Sequence, residues 1–286
     1  VSSDDWSANR PLRSVLFMPA WNSRAMDKAR SLACDAVVLD LEDATAPERK
    51  AEAREAAAVR GGGFGERLLA VRVNGLDTDW GADDLAALSQ VAPEVVVAPK
   101  VGSAADVRAY AERLHPRSRL WAMVETCRGV LNLAEIARVG GPLSALVLGV
   151  NDLSKDMRRP LSRDRSALHA AMSLTVTAAR AHGLTAVDGV FNDLEDAEAL
   201  AAEAAEGRAF GFDGKSLIHP WQIEAANRAF SPSRAELNRA HAVIAAFAAP
   251  ENVDKGAVRV DGAMAERLHL AEAERVVRLG SQGVAG

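Results

Sequence analysis

Seven short apolar runs in this chain end on residues that can do chemistry: Asp40-Leu41-Glu42-Asp43, Arg72-Val73-Asn74, Pro99-Lys100, Glu125-Thr126, Asn151-Asp152, Asp188 and His219. If the runs are parallel strands, those residues gather on one rim. Glu125 and Asp152, at neighbouring strand ends, then suit a hard divalent ion. Magnesium, with manganese as the substitute, takes oxygen ligands and keeps waters that a substrate can displace. The competing reading of each carboxylate is the N-cap of the helix that follows. Arg72 closes an apolar run and needs an anionic partner, either a substrate or an ion pair with Glu42 or Asp43. Lys100 and Asn151 are candidate contacts to substrate or cofactor, an exposed surface lysine being the plainer reading of Lys100. His219, between Ile218 and Pro220, reads as a hydrogen-bonded structural residue at least as well as a catalytic one. His115, His169, His182 and His241 read as solvated helix residues. Cys127 reads as packed, since no histidine is placed to activate it.

The elements that must position this rim follow from hydrophobic periodicity. Strands are expected at Ser14–Met18, Ala36–Leu41, Leu68–Val73, Val95–Pro99, Leu120–Val124, Ala145–Val150, Thr185–Val190 and, more weakly, Gly211–Ile218. Helical spacing lies between them, near 23–33, 47–59, 80–89, 103–114, 128–138, 162–182, 193–206 and 220–229, with Pro47 and Pro220 in first-turn positions. Such alternation predicts an α/β fold, a closed (β/α)8 TIM barrel over residues 1–230. A doubly wound open sheet competes, but the turn after the first strand reads Met-Pro-Ala-Trp-Asn and carries no glycine fingerprint. Residues 231–286 form a C-terminal helical extension, with helices near 233–248 and 263–279 around a β-like Ala257–Val260.

The totals exclude other classes. A net charge of −5 speaks against nucleic acid as the main partner. No apolar run is long enough for a membrane span, and two cysteines without metal-site spacing favour a reducing compartment, the cytoplasm.

The chain resembles the citrate lyase β-subunit-like family of the HpcH/HpaI aldolase superfamily. The resemblance is carried by Arg13-Ser14-Val15-Leu16-Phe17, Leu39-Asp40-Leu41-Glu42-Asp43-Ala44, Val71-Arg72-Val73-Asn74-Gly75, Val124-Glu125-Thr126, Gly149-Val150-Asn151-Asp152-Leu153 and Gly214-Lys215-Ser216-Leu217-Ile218-His219-Pro220. It implies magnesium on Glu125 and Asp152, with Glu42 and Asp43 supporting the metal's water shell and Arg72 on substrate near the reacting carbonyl. It also implies a homo-oligomer, a trimer or hexamer, in which the extension meets a neighbouring subunit. Many lyases of the family carry Asp-Gly-x-Met-Ile-Asp there, the last aspartate serving the neighbour's site as acid/base. Here the stretch is Asp261-Gly262-Ala263-Met264-Ala265-Glu266, which gives that role to Glu266 with one methylene more.

The implied reaction is carbon–carbon cleavage or formation of a 3-hydroxyacyl-CoA such as malyl-CoA, the partners being a 2-oxo acid and an acyl-CoA thioester. Arg72 would stabilise the enolate oxygen and Glu266 would protonate its carbon. Alternatives are a malyl-CoA thioesterase, a citrate lyase β-type subunit dependent on an acyl-carrier partner, and a metal-dependent aldolase acting on free 2-oxo acids.

Overall fold

The computed structural model describes residues 10–60, 63–160 and 162–282. Eight parallel strands follow one another around a closed barrel: β1 (Ser14–Pro19), β2 (Ala36–Asp40), β3 (Leu68–Arg72), β4 (Val95–Ala98), β5 (Arg119–Val124), β6 (Leu143–Leu148), β7 (Thr185–Asp188) and β8 (Gly214–Leu217). Closure is made by β1 against β8, with Ser14 opposite Lys215. The strands are nearly continuous apolar runs because both faces are covered. One alternate set (Val15, Ala36, Val38, Leu68, Ala70, Val95, Val97, Trp121, Met123, Ala145, Val147 and Val187) fills the barrel interior. The other set, including Leu16, Val37, Leu39, Val71 and Val96, packs beneath the helices.

Local chemistry starts and stops the helices where expected. Asn22, Ser103, Thr126 and Asp196 each accept a main-chain N–H of the first turn that follows. Gly211 ends the helix Ala197–Phe210 with φ of 98°, a conformation open to glycine. Pro47 and Pro220 head short 3₁₀ turns that run into the helices Lys50–Arg60 and Ile223–Phe230. The helix expected at 162–182 begins only at His169, after the 3₁₀ turn Ser166–Leu168, and the one expected at 128–138 breaks at Asn132. A helix that periodicity did not suggest, Val150–Asp156, begins directly where β6 ends.

The chain divides into two compact units, one spanning Leu12–Phe230 and one beginning at Ser231. The second holds the helix Arg234–Ala248, started by a reciprocal Ser233/Glu236 capping box, then β9 (Ala257–Val260), β10 (Ala263–Glu266) and the helix Arg267–Gln282. Residues 263–266 are therefore strand, where the sequence suggested helix. Asp261 and Gly262, at φ of 51° and 81°, make a two-residue turn that pairs β10 antiparallel with β9. Two positive φ angles define the turn type whose twist fits a hairpin. Among the described residues no helix is long and apolar enough to cross a membrane.

Candidate active site

Strand parity decides which rim residues meet. On β2 and β3 the interior positions end with Asp40 and Arg72, which lie opposite each other in register. Arg72 donates Nε to Asp40 Oδ1 at 2.7 Å and Nη2 to Oδ2 at 2.6 Å, a fork that closes the end of the barrel. Its Nη1 lies 3.0 Å from Glu42 Oε2 and 3.5 Å from Asp43 Oδ2. Main-chain N–H groups of Glu42 and Ala44 donate to the same Asp40, fixing the turn that carries Glu42 and Asp43. Burial pushes Asp40 up, yet the Arg72 charge and these hydrogen bonds leave it below the usual carboxylate range. Arg72 stays protonated despite its own burial.

Glu125 continues the interior alternation of β5 and is 2% exposed. Burial pushes its carboxyl up to about 8, against the attraction of Arg72 and a 2.7 Å hydrogen bond from the Lys100 main-chain N–H. Asp152 sits in the first turn of Val150–Asp156, 3.1 Å from Lys100 Nζ. The same ammonium group pairs with Glu42 and lies 3.8 Å from Asp43. One lysine thus touches Glu125 through its backbone and Asp152, Glu42 and Asp43 through its side chain. The expected site residues of the barrel come together, apart from Asn151, whose side chain exchanges hydrogen bonds with Asn192. A cavity of about 290 Å³ shares Val150 and Ser154 with the helix bearing Asp152, and Asn192 with that amide pair.

Among the described residues no group of three or more His, Cys, Asp or Glu is arranged to hold a metal ion. Glu125 and Asp152 nevertheless fit a hard divalent ion of the kind that keeps most of its waters. Both are carboxylates within reach of one lysine, and a cation, the ammonium of Lys100, already lies against Asp152.

Two strand-end residues take structural roles instead of joining this cluster. Asp188 has exterior parity, next to interior Val187, and is fully buried against the helix Ala197–Phe210. It accepts Arg165 Nη1 at 2.9 Å on both oxygens and lies 3.3 Å from Lys215 Nζ, which also meets the Gly189 carbonyl and Glu203, each at 2.6 Å. His219 accepts the Trp221 N–H through Nδ1 and so caps the next turn, the structural role. His169 is not simply solvated, since its Nε2 lies 2.9 Å from Glu206 and its ring packs on Phe210. Asp188→Ala would leave Arg165 with Glu203 and Glu206, and Lys215 with Glu203, as acidic partners, and the lost share of this buried network is expected to cost about 3 kcal/mol in urea unfolding. Magnesium affinity should be unchanged.

The sequence reading missed several supports. Lys50 is buried and donates to the carbonyls of Leu41 and Glu42 at 2.8 and 2.7 Å and to Asn74 Oδ1 at 2.7 Å, so it pins the Glu42 turn from below. A lysine in the first turn of a helix gives no sequence signal of that job. Gly149 follows β6 at an interior position, and a Cβ there would lie 2.6 Å from Glu125 Cβ and closer still to Oε2. Gly149→Ala is therefore expected to displace the Glu125 carboxylate and lower turnover about a hundredfold, with the circular dichroism spectrum retained.

An acidic rim around one forked arginine thus lies at the C-terminal face of a closed parallel barrel, the end at which barrel enzymes carry their active sites. The family model for HpcH/HpaI aldolase/citrate lyase matches residues 13–220, and the chain belongs to that family. It is 47% identical over 269 residues, 93% of this chain and 94% of the relative, to a (3S)-malyl-CoA thioesterase of Cereibacter sphaeroides. It is 32% identical to the L-malyl-CoA/beta-methylmalyl-CoA lyase of the same species, over 94% of each chain. The solved structure of CitE from Mycobacterium tuberculosis, in complex with magnesium, acetoacetate and coenzyme A, is similar with a TM-score of 0.81 and 35% identity. That likeness covers 96% of this chain and 99% of CitE.

Proposed function

We propose that the chain hydrolyses a malyl-CoA-type thioester with the help of magnesium held by Glu125 and Asp152. The observation that carries the choice of hydrolysis is the 47% identity, over nearly the whole chain, to a (3S)-malyl-CoA thioesterase. The magnesium assignment is supported by the two carboxylates joined through Lys100, and by the magnesium in the CitE complex. When bound, the metal supplies Lewis acidity at the acid end of the substrate.

The protein's own groups do the rest. Arg72 has one nitrogen, Nη1, turned to Glu42 and Asp43 instead of Asp40. That nitrogen can donate to a substrate oxygen as negative charge grows on it, while the Asp40 fork keeps the guanidinium from moving. Glu42 and Asp43 hold water beside the thioester carbonyl. Water adds to that carbonyl and the C–S bond breaks, giving malate and free CoA. Lys100 contacts the acyl portion. Glu266 ends β10 in the second unit, where its main-chain N–H donates to His269 Nδ1 and its side chain is exposed. It serves the site of a neighbouring subunit in a homo-oligomer, as acid/base.

A second reading is carbon–carbon cleavage to glyoxylate and acetyl-CoA, favoured by the 32% identity to a malyl-CoA lyase and by the carboxylate kept at Glu266. Incubation with malyl-CoA and magnesium separates the two. Hydrolysis predicts free thiol and malate in equal amounts, whereas glyoxylate as the main product would replace hydrolysis by the lyase reading.

A further inference from the structure

We propose that Lys100 is a built-in counter-ion of the cation site, neutralising the carboxylates there and competing with a divalent ion for Asp152. This rests on the cation-site reading of Glu125 and Asp152.

Charge supplies the first argument. Five carboxylates (Asp40, Glu42, Asp43, Glu125 and Asp152) share this end of the barrel, and Arg72 is committed to Asp40 through both arms of its fork. Arg72 Nη1 shares Glu42 and Asp43 with Lys100, but among the described residues the ion pair of Asp152 is with Lys100, whose ammonium group meets all three carboxylates from two separate segments of chain. A lysine that merely decorated the surface would have no reason to bridge them.

Backbone conformation supplies the second. Lys100 has φ of 51°, in the left-handed region that residues with a Cβ seldom occupy. Strain of this kind persists where the surroundings demand it, and it gathers at functional sites. By the alternation of β4, whose interior residues are Val95 and Val97, a residue at 100 in extended conformation would point away from the interior. The left-handed turn instead aims the Lys100 N–H at Glu125 and brings its side chain over the carboxylates. One strained residue therefore fixes one candidate ligand and screens the other.

A divalent ion that engages Asp152 must displace this ammonium group or share the carboxylate with it. Removing the positive charge should then tighten cation binding. For a partly exposed ion pair such as this, the gain is about two- to fivefold in affinity.

The test is calorimetric titration of the full chain with magnesium chloride, comparing the wild type with Lys100→Met, Lys100→Gly and Glu125→Gln, together with thermal melting with and without magnesium. Lys100→Gly tolerates the left-handed backbone, so it keeps the N–H on Glu125 while removing the ammonium group. Both Lys100 variants are expected to bind magnesium more tightly than wild type, and their melting temperatures should rise more on its addition. Equal or weaker binding in both variants, with Glu125→Gln weakened, overturns the counter-ion and leaves the cation site standing. Magnesium affinity unaffected by Glu125→Gln removes the site itself and the counter-ion with it.

Discussion

Glu125→Gln is expected to lower turnover of a malyl-CoA substrate about a thousandfold, the loss that follows when one of two protein ligands no longer holds a Lewis-acidic ion. The substitution is nearly isosteric, and the side-chain oxygen of glutamine can still accept the Lys100 N–H that Glu125 Oε1 accepts at 2.7 Å. What it removes is the charge. The same variant has a second signature in chelator, without divalent ions. Burial holds the folded Glu125 carboxyl near 8, while its ordinary value is 4.5. The folded state therefore binds an extra proton across that window, and its stability falls as pH rises through it. Glu125→Gln cannot titrate, so its unfolding free energy should lose that slope between pH 4.5 and 8, measured by urea melts at several pH values.

Arg72→Met is expected to cost both stability and rate. Asp40 is 1% exposed and would keep only the Glu42 and Ala44 N–H groups as partners. Leaving that charge buried costs about 3–5 kcal/mol. Turnover should fall about a hundred- to a thousandfold, the usual loss for one donor to a developing oxyanion. A double variant, Asp40→Asn with Arg72→Met, separates the two effects. Removing both buried charges should recover much of the stability without restoring turnover. Arg72→Lys keeps the charge but not the fork, and its turnover should stay low. Full activity in Arg72→Lys would reduce Arg72 to an ion pair that closes the barrel.

Much of this arrangement was legible in the sequence because a barrel repeats one signal. Each buried strand is an apolar run, and a charged residue at its end is costly unless something needs it. That logic located Arg72, Glu125 and the Glu42-Asp43 turn. It failed at Asp188, where the run ends on a carboxylate of exterior parity; counting alternate residues from Val187 would have sent it to Arg165 and Lys215. The same count identifies Asp40 as the partner of Arg72, since both occupy the last interior position of adjacent strands. Asp152 lies four residues past the end of β6, in the first turn of a seven-residue helix too short to announce itself by periodicity. Alanine, methionine and glutamate at 263–266 favour helix. The Asp261-Gly262 pair overrides that preference by fixing a hairpin turn. Lys100 was legible as a rim residue, but its bridging of the carboxylates was not, because those contacts depend on a positive φ that lysine rarely adopts and no sequence pattern signals.

The proposed function stands on a cation held by Glu125 and Asp152, and one measurement meets it directly: thiol release from malyl-CoA by the chelator-treated protein as magnesium is restored. The expected result is negligible release in chelator and saturable recovery with magnesium. The concentration for half recovery should rise at least about tenfold in both Glu125→Gln and Asp152→Asn, as loss of a charged ligand to a hard ion requires. Thiol release that persists in chelator, and that neither substitution changes, would contradict the cation site and the mechanism drawn from it.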